Sequence, residues 1–337
     1  MDKKKGKFNK SFFIVNKLYL FVIFIGLTIQ DITLGFYYFL MSAIIYIWKV
    51  LNSKVPIDIN KEFDKITCTY KKANNRELKM DIWFPLEKHK KSHSLVYFCH
   101  GGGWISGFRN QPNNVSWCKY LAAKGFIVAS IDYRYGYKNT MIDILSDYSD
   151  GLDFIKKKRE EYNIDISNII LMGLSAGAHL SLLYSTYNTL MKNHQAMNGI
   201  RSVVAYYPPT NLKDIFISDN KSLFARFATI KTMKGNPQEL DKVYEYYSPI
   251  NYVSESMIPT LVVHGKNDNT VPFQSSVNFV KKLNEYKVKY EFLVHKKADH
   301  SFDTKLKDYA TVNILDKTVR FMKKSVHRRD IHENNKH

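Results

Sequence analysis

At 337 residues, with 45% hydrophobic side chains, the chain is long enough for one large folded domain with additions, and its composition excludes global disorder. Fifty Lys and Arg against 31 acids give +19, but residues 1–10 and 320–337 hold +4 each, and the +11 left over the body forms no recognisable nucleic-acid module, so no nucleic-acid partner is expected. Three cysteines, Cys68, Cys99 and Cys118, without paired spacing suggest neither a disulfide framework nor a zinc site.

After the basic tail 1–10, residues 11–51 carry only Asn16, Lys17, Gln30, Asp31 and Lys49 as strongly polar side chains. One straight helix of that length would run about 60 Å, roughly twice the hydrocarbon thickness of a bilayer. The reading is therefore a membrane hairpin with helices near Phe12–Ile29 and Ile32–Trp48, turning at Gln30-Asp31. A cleaved signal peptide fits less well, because no small-x-small site follows and a second apolar block comes instead. The five Lys before the hairpin, and Lys49, Lys54, Lys61 and Lys65 after it, favour a membrane-anchored protein with its catalytic domain on the cytosolic side. The competing topology is a single span with the domain outside; the formal glycosylation acceptors Asn114 and Asn220 offer themselves as probes. Residues 52–61 read as a linker.

From Ile66 the pattern changes to short β-like runs: Ile66–Tyr70, Leu78–Phe84, Leu95–His100, Ile127–Asp132, Ile169–Gly173, Val203–Tyr207, Leu261–Gly265 and Tyr290–His295. Amphipathic stretches of helix length lie at Met141–Arg159, Val271–Tyr286 and Leu306–Lys324. An antiparallel start followed by alternation predicts an α/β fold with a mostly parallel, doubly wound sheet, whose chemistry gathers at the carboxyl ends of the strands. Residues 211–252 interrupt the rhythm with Phe216, Leu223, Phe224, Phe227 and Lys231 and form the candidate lid; an ordinary helical excursion is the alternative.

Three motifs carry chemistry. Ile169–Leu171 and Met172 run into Gly173-Leu174-Ser175-Ala176-Gly177, which reads as strand, sharp turn and helix with Ser175 at the apex and the Ala176 N–H aimed at a reacting carbonyl. His100-Gly101-Gly102-Gly103-Trp104 follows an inner strand, and three consecutive glycines let backbone N–H groups approach an oxyanion without Cβ clashes. Asp268, just past a strand, and His300, in the loop before the last helix, complete the order Ser, Asp, His expected of this architecture. His264 is expected to pack or brace its loop, His179 to be a helix residue, and Asp299 to be a solvated carboxylate at the surface. No metal spacing and no dinucleotide or phosphate loop appears, so no cofactor or metal is expected.

On these motifs, with Asp132-Tyr133-Arg134-Tyr135 and Tyr207-Pro208-Pro209, the chain resembles over about residues 62–325 the α/β-hydrolase superfamily, in the esterase and lipase branch related to hormone-sensitive lipase and bacterial acetyl esterases. The resemblance implies Ser175 as nucleophile, His300 as general base then acid, Asp268 as its holder, and Gly102, Gly103 and Ala176 as oxyanion donors. It implies that Asp132 and Arg134 brace the oxyanion loop. It further implies a serine carboxylic-ester hydrolase acting on short-chain acyl esters near a membrane. A prenylcysteine methylesterase or lipid esterase, sharing a similar Gly-rich loop and Ser-Ala-Gly-Ala-His pattern, is the nearest alternative. A prolyl-oligopeptidase-like peptidase lacks room for its propeller in residues 1–65, and the complete set of motifs argues against a catalytically silent binding protein. Residues 326–337 form a polar basic tail, and the oligomeric state is not written in the sequence.

Overall fold

The computed structural model describes residues 22, 23, 25, 32–51, 53–73, 75–87 and 92–326. These divide into two compact units, Met1–Ser53 and Lys54–His337. In the first, helix α1 (Ile32–Leu51) leaves Phe36, Tyr37, Phe39, Leu40, Ile44 and Ile45 exposed. Among the described residues, no helix is long and apolar enough to cross a membrane. The expected spanning hairpin is therefore not found there: α1 covers its second arm, but Tyr37, Tyr38 and Ser42 set polar groups among its apolar side chains. Most of the first arm, the tail 1–10 and the tail after 326 lie outside the described residues.

The second unit is built on one eight-stranded sheet: β1 (Lys65–Ala73), β2 (Arg76–Trp83), β3 (His93–Cys99), β4 (Ile127–Ile131), β5 (Ile164–Leu174), β6 (Ile200–Tyr206), β7 (Thr260–Gly265) and β8 (Tyr290–His295), in the order β1-β2-β4-β3-β5-β6-β7-β8. β1 and β2 pair antiparallel, as do β2 and β4; every later pairing is parallel. The inner strands are continuous apolar runs because both faces are covered. Along β3, Leu95, Tyr97 and Cys99 join one core and Val96 and Phe98 the other, the period-two alternation of a strand.

Helices fill both layers. On the first face lie α3 (Met141–Lys157), with Ile144, Tyr148 and Leu152 buried, α4 (Ala176–Leu190) and α7 (Phe273–Glu285). On the second lie α2 (Pro112–Ala123), through Trp117 and Leu121, and α8 (Tyr309–Val326), through Leu315, Val319 and Met322. α3 opens with a capping box in which Thr140 and Asp143 satisfy each other's backbone N–H groups. The segment 211–252 is helical in pieces: a 3-10 turn at Leu212–Phe216, α5 (Leu223–Met233), α6 (Asp241–Tyr246) and a 3-10 turn at Pro249–Tyr252.

The two glycosylation acceptors are buried, with the Asn114 amide donating to Phe108 O and the Asn220 amide to Ile215 O. A glycan on either buried amide would have to displace the side chains packed around it, so absence of a glycan from the folded protein does not by itself place the domain on the cytosolic side.

Candidate active site

Ser175 sits between β5 and α4 with φ 52° and ψ −114°, a conformation that a side chain with a Cβ rarely adopts. The turn is held by its flanks: the Ser175 N–H donates to Tyr206 O at 2.9 Å, and its carbonyl accepts from His179 N at 2.9 Å. Gly177 is required at this point, because a Cβ there would stand 2.1 Å from Cys99 O. The small residues of the pentapeptide thus let β3, β5 and α4 converge under a raised hydroxyl.

The imidazole of His300 spans from this hydroxyl to a buried carboxylate. His300 Nε2 lies 3.0 Å from Ser175 Oγ and Nδ1 lies 2.7 Å from Asp268 Oδ2. Asp268 accepts at Nδ1, so the lone pair of the neutral ring faces the serine. The carboxylate's other oxygen accepts from Thr270 N at 2.8 Å and Val271 N at 2.9 Å. Burial alone would raise the Asp268 carboxyl pKa, but the His300 charge and hydrogen bonds from His264 and His300 outweigh it and hold the group well below the usual carboxylate range.

The Gly-rich loop lies beside the serine: a Cβ on Gly101 would fall 3.0 Å from Leu174 O and 3.3 Å from Ser175 Cβ. Gly102 and Gly103 follow with φ +117° and +59°, and Gly102 O accepts from Ser106 N at 3.0 Å and Ser106 Oγ at 2.9 Å. Ala176 opens α4, where helix N–H groups lack intrahelical acceptors. Gly101 thus brings the Gly-rich loop against the Ser175 turn from one side, and Ala176 follows the serine on the other.

Support for the loop comes partly from the residues expected and partly from others. Asp132 accepts from Arg109 N at 3.0 Å and Arg109 Nη1 at 2.6 Å, fixing the far end of the loop. Tyr133 stacks on His100 with centroids 4.3 Å apart and donates to His100 O at 3.1 Å. Arg134 does not reach the loop; its guanidinium is taken by Asp143 and Asp147 of α3. His179 is buried in α4, donates through Nε2 to Tyr247 O at 2.7 Å and meets Trp104 edge-on at 5.0 Å, so it underpins the loop from below.

Two other residues do more than their sequence context suggests. Asp299 is exposed but not idle: its Oδ1 accepts from Asn269 N at 2.9 Å and His300 N at 2.6 Å, tying the Asp268 loop to the His300 loop. Tyr207 carries its ring 4.4 Å from that of His300. The tyrosine lies in a quoted motif, yet nothing in the local pattern says what its ring faces. Among the described residues, no group of three or more His, Cys, Asp or Glu side chains could hold a metal ion.

The candidate lid does reach the site. A Cβ on Gly103 would stand 2.8 Å from Ala228 Cβ and 3.3 Å from ring atoms of Phe224, so α5 packs directly on the loop. Leu223, Phe224 and Phe227 leave large apolar surfaces in solvent beside it.

Among known proteins, the chain is 29% identical over 238 residues to a probable isoprenylcysteine alpha-carbonyl methylesterase of Oryza sativa subsp. japonica, covering 66% of this chain and 55% of that one. It is 30% identical over 225 residues to the probable carboxylic ester hydrolase LipM of Mycobacterium tuberculosis, covering 64% and 50%. The chain thus spans about half the length of the curated relatives it matches. A truncated carbohydrate esterase from gut microbiota superposes with a TM-score of 0.66 at 21% identity, over 80% of this chain and all of that one. Esterase 2 of Thermogutta terrifontis, with butyrate bound, gives 0.59 at 22% identity over 76% and 93%. These two likenesses establish the fold. The BD-FAE family profile matches residues 80–283, more than half of the sequence, and the chain belongs to this family of α/β-hydrolase esterases.

Proposed function

We propose that the protein is a serine carboxylic-ester hydrolase, and the observation that carries this is the hydrogen-bonded chain Ser175–His300–Asp268. His300 Nε2 takes the Ser175 proton as Oγ attacks the ester carbonyl, and the oxyanion is received by the N–H groups of Gly102, Gly103 and Ala176. His300, now charged and facing Asp268, returns the proton to the departing alcohol, leaving an acyl-Ser175. Water, deprotonated by the same imidazole, attacks the acyl carbon, and His300 returns the proton to Ser175 Oγ as the acyl–oxygen bond breaks and the acid leaves. Intact-mass detection of a fluorophosphonate adduct mapped to Ser175 tests the assignment; absence of the adduct in folded wild-type protein overturns it.

The substrate we infer first is a short-chain acyl ester, because α5 closes down on the loop at Gly103. A second reading, a prenylcysteine methyl ester, is supported by the relatives from Oryza sativa and Arabidopsis thaliana that are named isoprenylcysteine methylesterases. Comparing kcat/KM for ethyl acetate and a prenylcysteine methyl ester separates the two.

The same proposal keeps the catalytic unit at a membrane surface on the cytosolic side. Exposed aromatic and aliphatic side chains on α1 support attachment, and three free cysteines are compatible with a reducing compartment. Alkaline extraction and protease protection of intact vesicles test attachment and side respectively.

A further inference from the structure

Asp303 is a fully buried carboxylate that the mechanism above does not use. It lies three residues past His300 and takes both its side-chain partners from distant parts of the chain. Oδ2 accepts from Trp117 Nε1 at 2.6 Å, and Oδ1 accepts from the Tyr207 hydroxyl at 2.7 Å. Both contacts are short, as expected of an ionised acceptor. Removing a carboxylate from water is costly even with two neutral donors, so its retention here asks for a use.

Tyr207 supplies the connection. It stands at the end of β6 with φ 39°, an unfavourable conformation for a bulky side chain, and its N–H donates to Val263 O at 2.6 Å. Its hydroxyl points to Asp303 while its ring lies 4.4 Å from the imidazole of His300, inclined by 57°. The ring is thus fixed at one end by a buried anion and faces, at the other, the group that becomes positive during ester cleavage.

We propose that Asp303 is a positioning residue for His300, acting through Tyr207: it locks the tyrosine ring against the imidazole and favours the imidazolium formed when Ser175 gives up its proton. The proposal rests on the reaction assigned above to Ser175. The π face of an aromatic ring attracts a cation placed over it, and a buried anion behind that ring adds an unscreened Coulomb attraction.

The neighbourhood leaves this role to Asp303. Besides Tyr207, His300 meets Asp268 from the loop after β7, Ser175 from the β5–α4 turn, Asp299 at its own N–H, and Lys305 Nζ, which donates to its carbonyl at 3.0 Å. Around Tyr207 and Asp303 stand Trp117 of α2, Tyr206, whose hydroxyl is shared with Thr318 of α8, and Phe302, against which His295 packs while facing Asp308. Burial pushes the Asp303 carboxyl pKa up; hydrogen bonds from Trp117 and Tyr207 and the charge of His300 pull against it, leaving it above its ordinary value.

The test uses the full chain and three variants, Asp303→Asn, Tyr207→Phe and Trp117→Phe, with kcat and KM for p-nitrophenyl acetate measured across pH and rates normalised to sites titrated by a fluorophosphonate. Asp303→Asn and Tyr207→Phe should each lower kcat about tenfold and move the acid limb of the kcat/KM profile to lower pH by about half a unit or more, with little change in KM. Trp117→Phe keeps the anion and its bond to Tyr207, so it should lower Tm and leave the limb in place. Should Asp303→Asn fail to fold, Tyr207→Phe carries the comparison alone. Acid limbs and per-site rates that coincide with wild type, despite lowered Tm, overturn the proposal and leave Asp303 a structural group. A wild-type protein that takes no fluorophosphonate label would instead refute the reaction itself.

Discussion

His264 Nε2 lies 3.1 Å from Asp268 Oδ2, so the carboxylate that faces His300 is also held by a second imidazole from the end of its own region of sheet. Ser276 Oγ is 2.7 Å from His264 Nδ1, and Val271 O is 3.1 Å from Nε2. A carbonyl needs a donor, so Nε2 carries the proton and shares it between Val271 O and Asp268, while Nδ1 accepts from the serine. Asp268 thereby takes hydrogen bonds from four directions, which fixes the oxygen that His300 must find.

This arrangement sets two expected costs. Asp268→Asn keeps the size and shape of the side chain, so it should leave the fold nearly intact, while an amide donor facing His300 favours the wrong tautomer and should lower kcat by about 10⁴, as such variants of these triads do. His264→Phe removes one hydrogen bond to a charged group, worth roughly 1.5–3 kcal/mol, and should lower kcat about ten- to a hundredfold with KM little changed. Steady-state kinetics on purified variants checks both. Near-normal turnover in Asp268→Asn would hand the holding role to another carboxylate, with Asp299 the first to examine.

Acid stability follows from two buried histidines. Burial lowers the pKa of His179 to about 4, against a smaller opposing effect of its bond to Tyr247 O; burial likewise lowers His100 to about 4, opposed by its bond to Gly101 O and by Asp132. Each is neutral in the fold and charges more readily when unfolded. Stability is therefore full above the ordinary histidine range, near pH 6.5, and is lost as pH falls from there toward 4, by up to about 3 kcal/mol for each group. His179→Gln retains a donor for Tyr247 O and cannot titrate. Urea midpoints measured from pH 7.5 to 4.5 should fall less steeply in the variant; parallel curves would exclude His179 as a source of the acid loss.

The oxyanion loop yields a paired prediction. Gly103→Ala puts a Cβ 2.8 Å from Ala228 Cβ at φ +59°, whereas Gly102→Ala at φ +117° puts one 2.1 Å from the Ser106 carbonyl oxygen. A side chain on α5 can be trimmed and a backbone carbonyl cannot. Adding Ala228→Gly should thus restore much of the kcat lost in Gly103→Ala, although glycine inside α5 costs about 1 kcal/mol of helix stability. The same second substitution should do nothing for Gly102→Ala. Equal rescue of both would mean that α5 and the loop are not in direct competition for space.

Much of this architecture is legible in the chain. All eight strands overlap the short β-like runs of the sequence, and the inner parallel ones are the plainest because a sheet covered on both faces needs continuous apolar segments. β5 shows the limit: its start, Ile164–Asn168, lies outside the expected run Ile169–Gly173 because Asp165, Ser167 and Asn168 leave it without continuous apolar character, yet Ile164 and Asp165 pair with His93 and Ser94. α2 escapes the pattern because Trp117, Tyr120 and Leu121 are buried in a helix that also carries Asn113, Asn114 and Lys119. The order β1-β2-β4-β3 is tertiary information, as is the bond from Trp117 to Asp303, 186 residues apart. Ser175, Asp268 and His300 are visible because each follows a strand end within a short motif. The groups that steady them, Tyr207, Asp303 and the second face of Asp299, depend on packing between layers and leave no local signature.

The remaining prediction concerns acyl length. Phe224 stands with ring atoms 3.3 Å from the Cβ position of Gly103, so it bounds the space beside the oxyanion loop, and Leu223 and Phe227 on the same helix are largely exposed. Where a wall stops the acyl chain, extra methylenes stay in water and add nothing to transition-state binding; where it is removed, each buried methylene contributes about 0.8 kcal/mol, or roughly fourfold in kcat/KM. Wild-type protein should therefore prefer p-nitrophenyl esters of roughly two to six carbons. Phe224→Ala should move the maximum to longer chains without lowering the rate on acetate. A wild-type maximum at about ten carbons or more would contradict the short-chain reading, since a wall at Phe224 gives such methylenes nothing to bury against. Ladders of wild type and Phe224→Ala that superpose would show that another surface closes the acyl side and that α5 covers the loop without selecting the substrate.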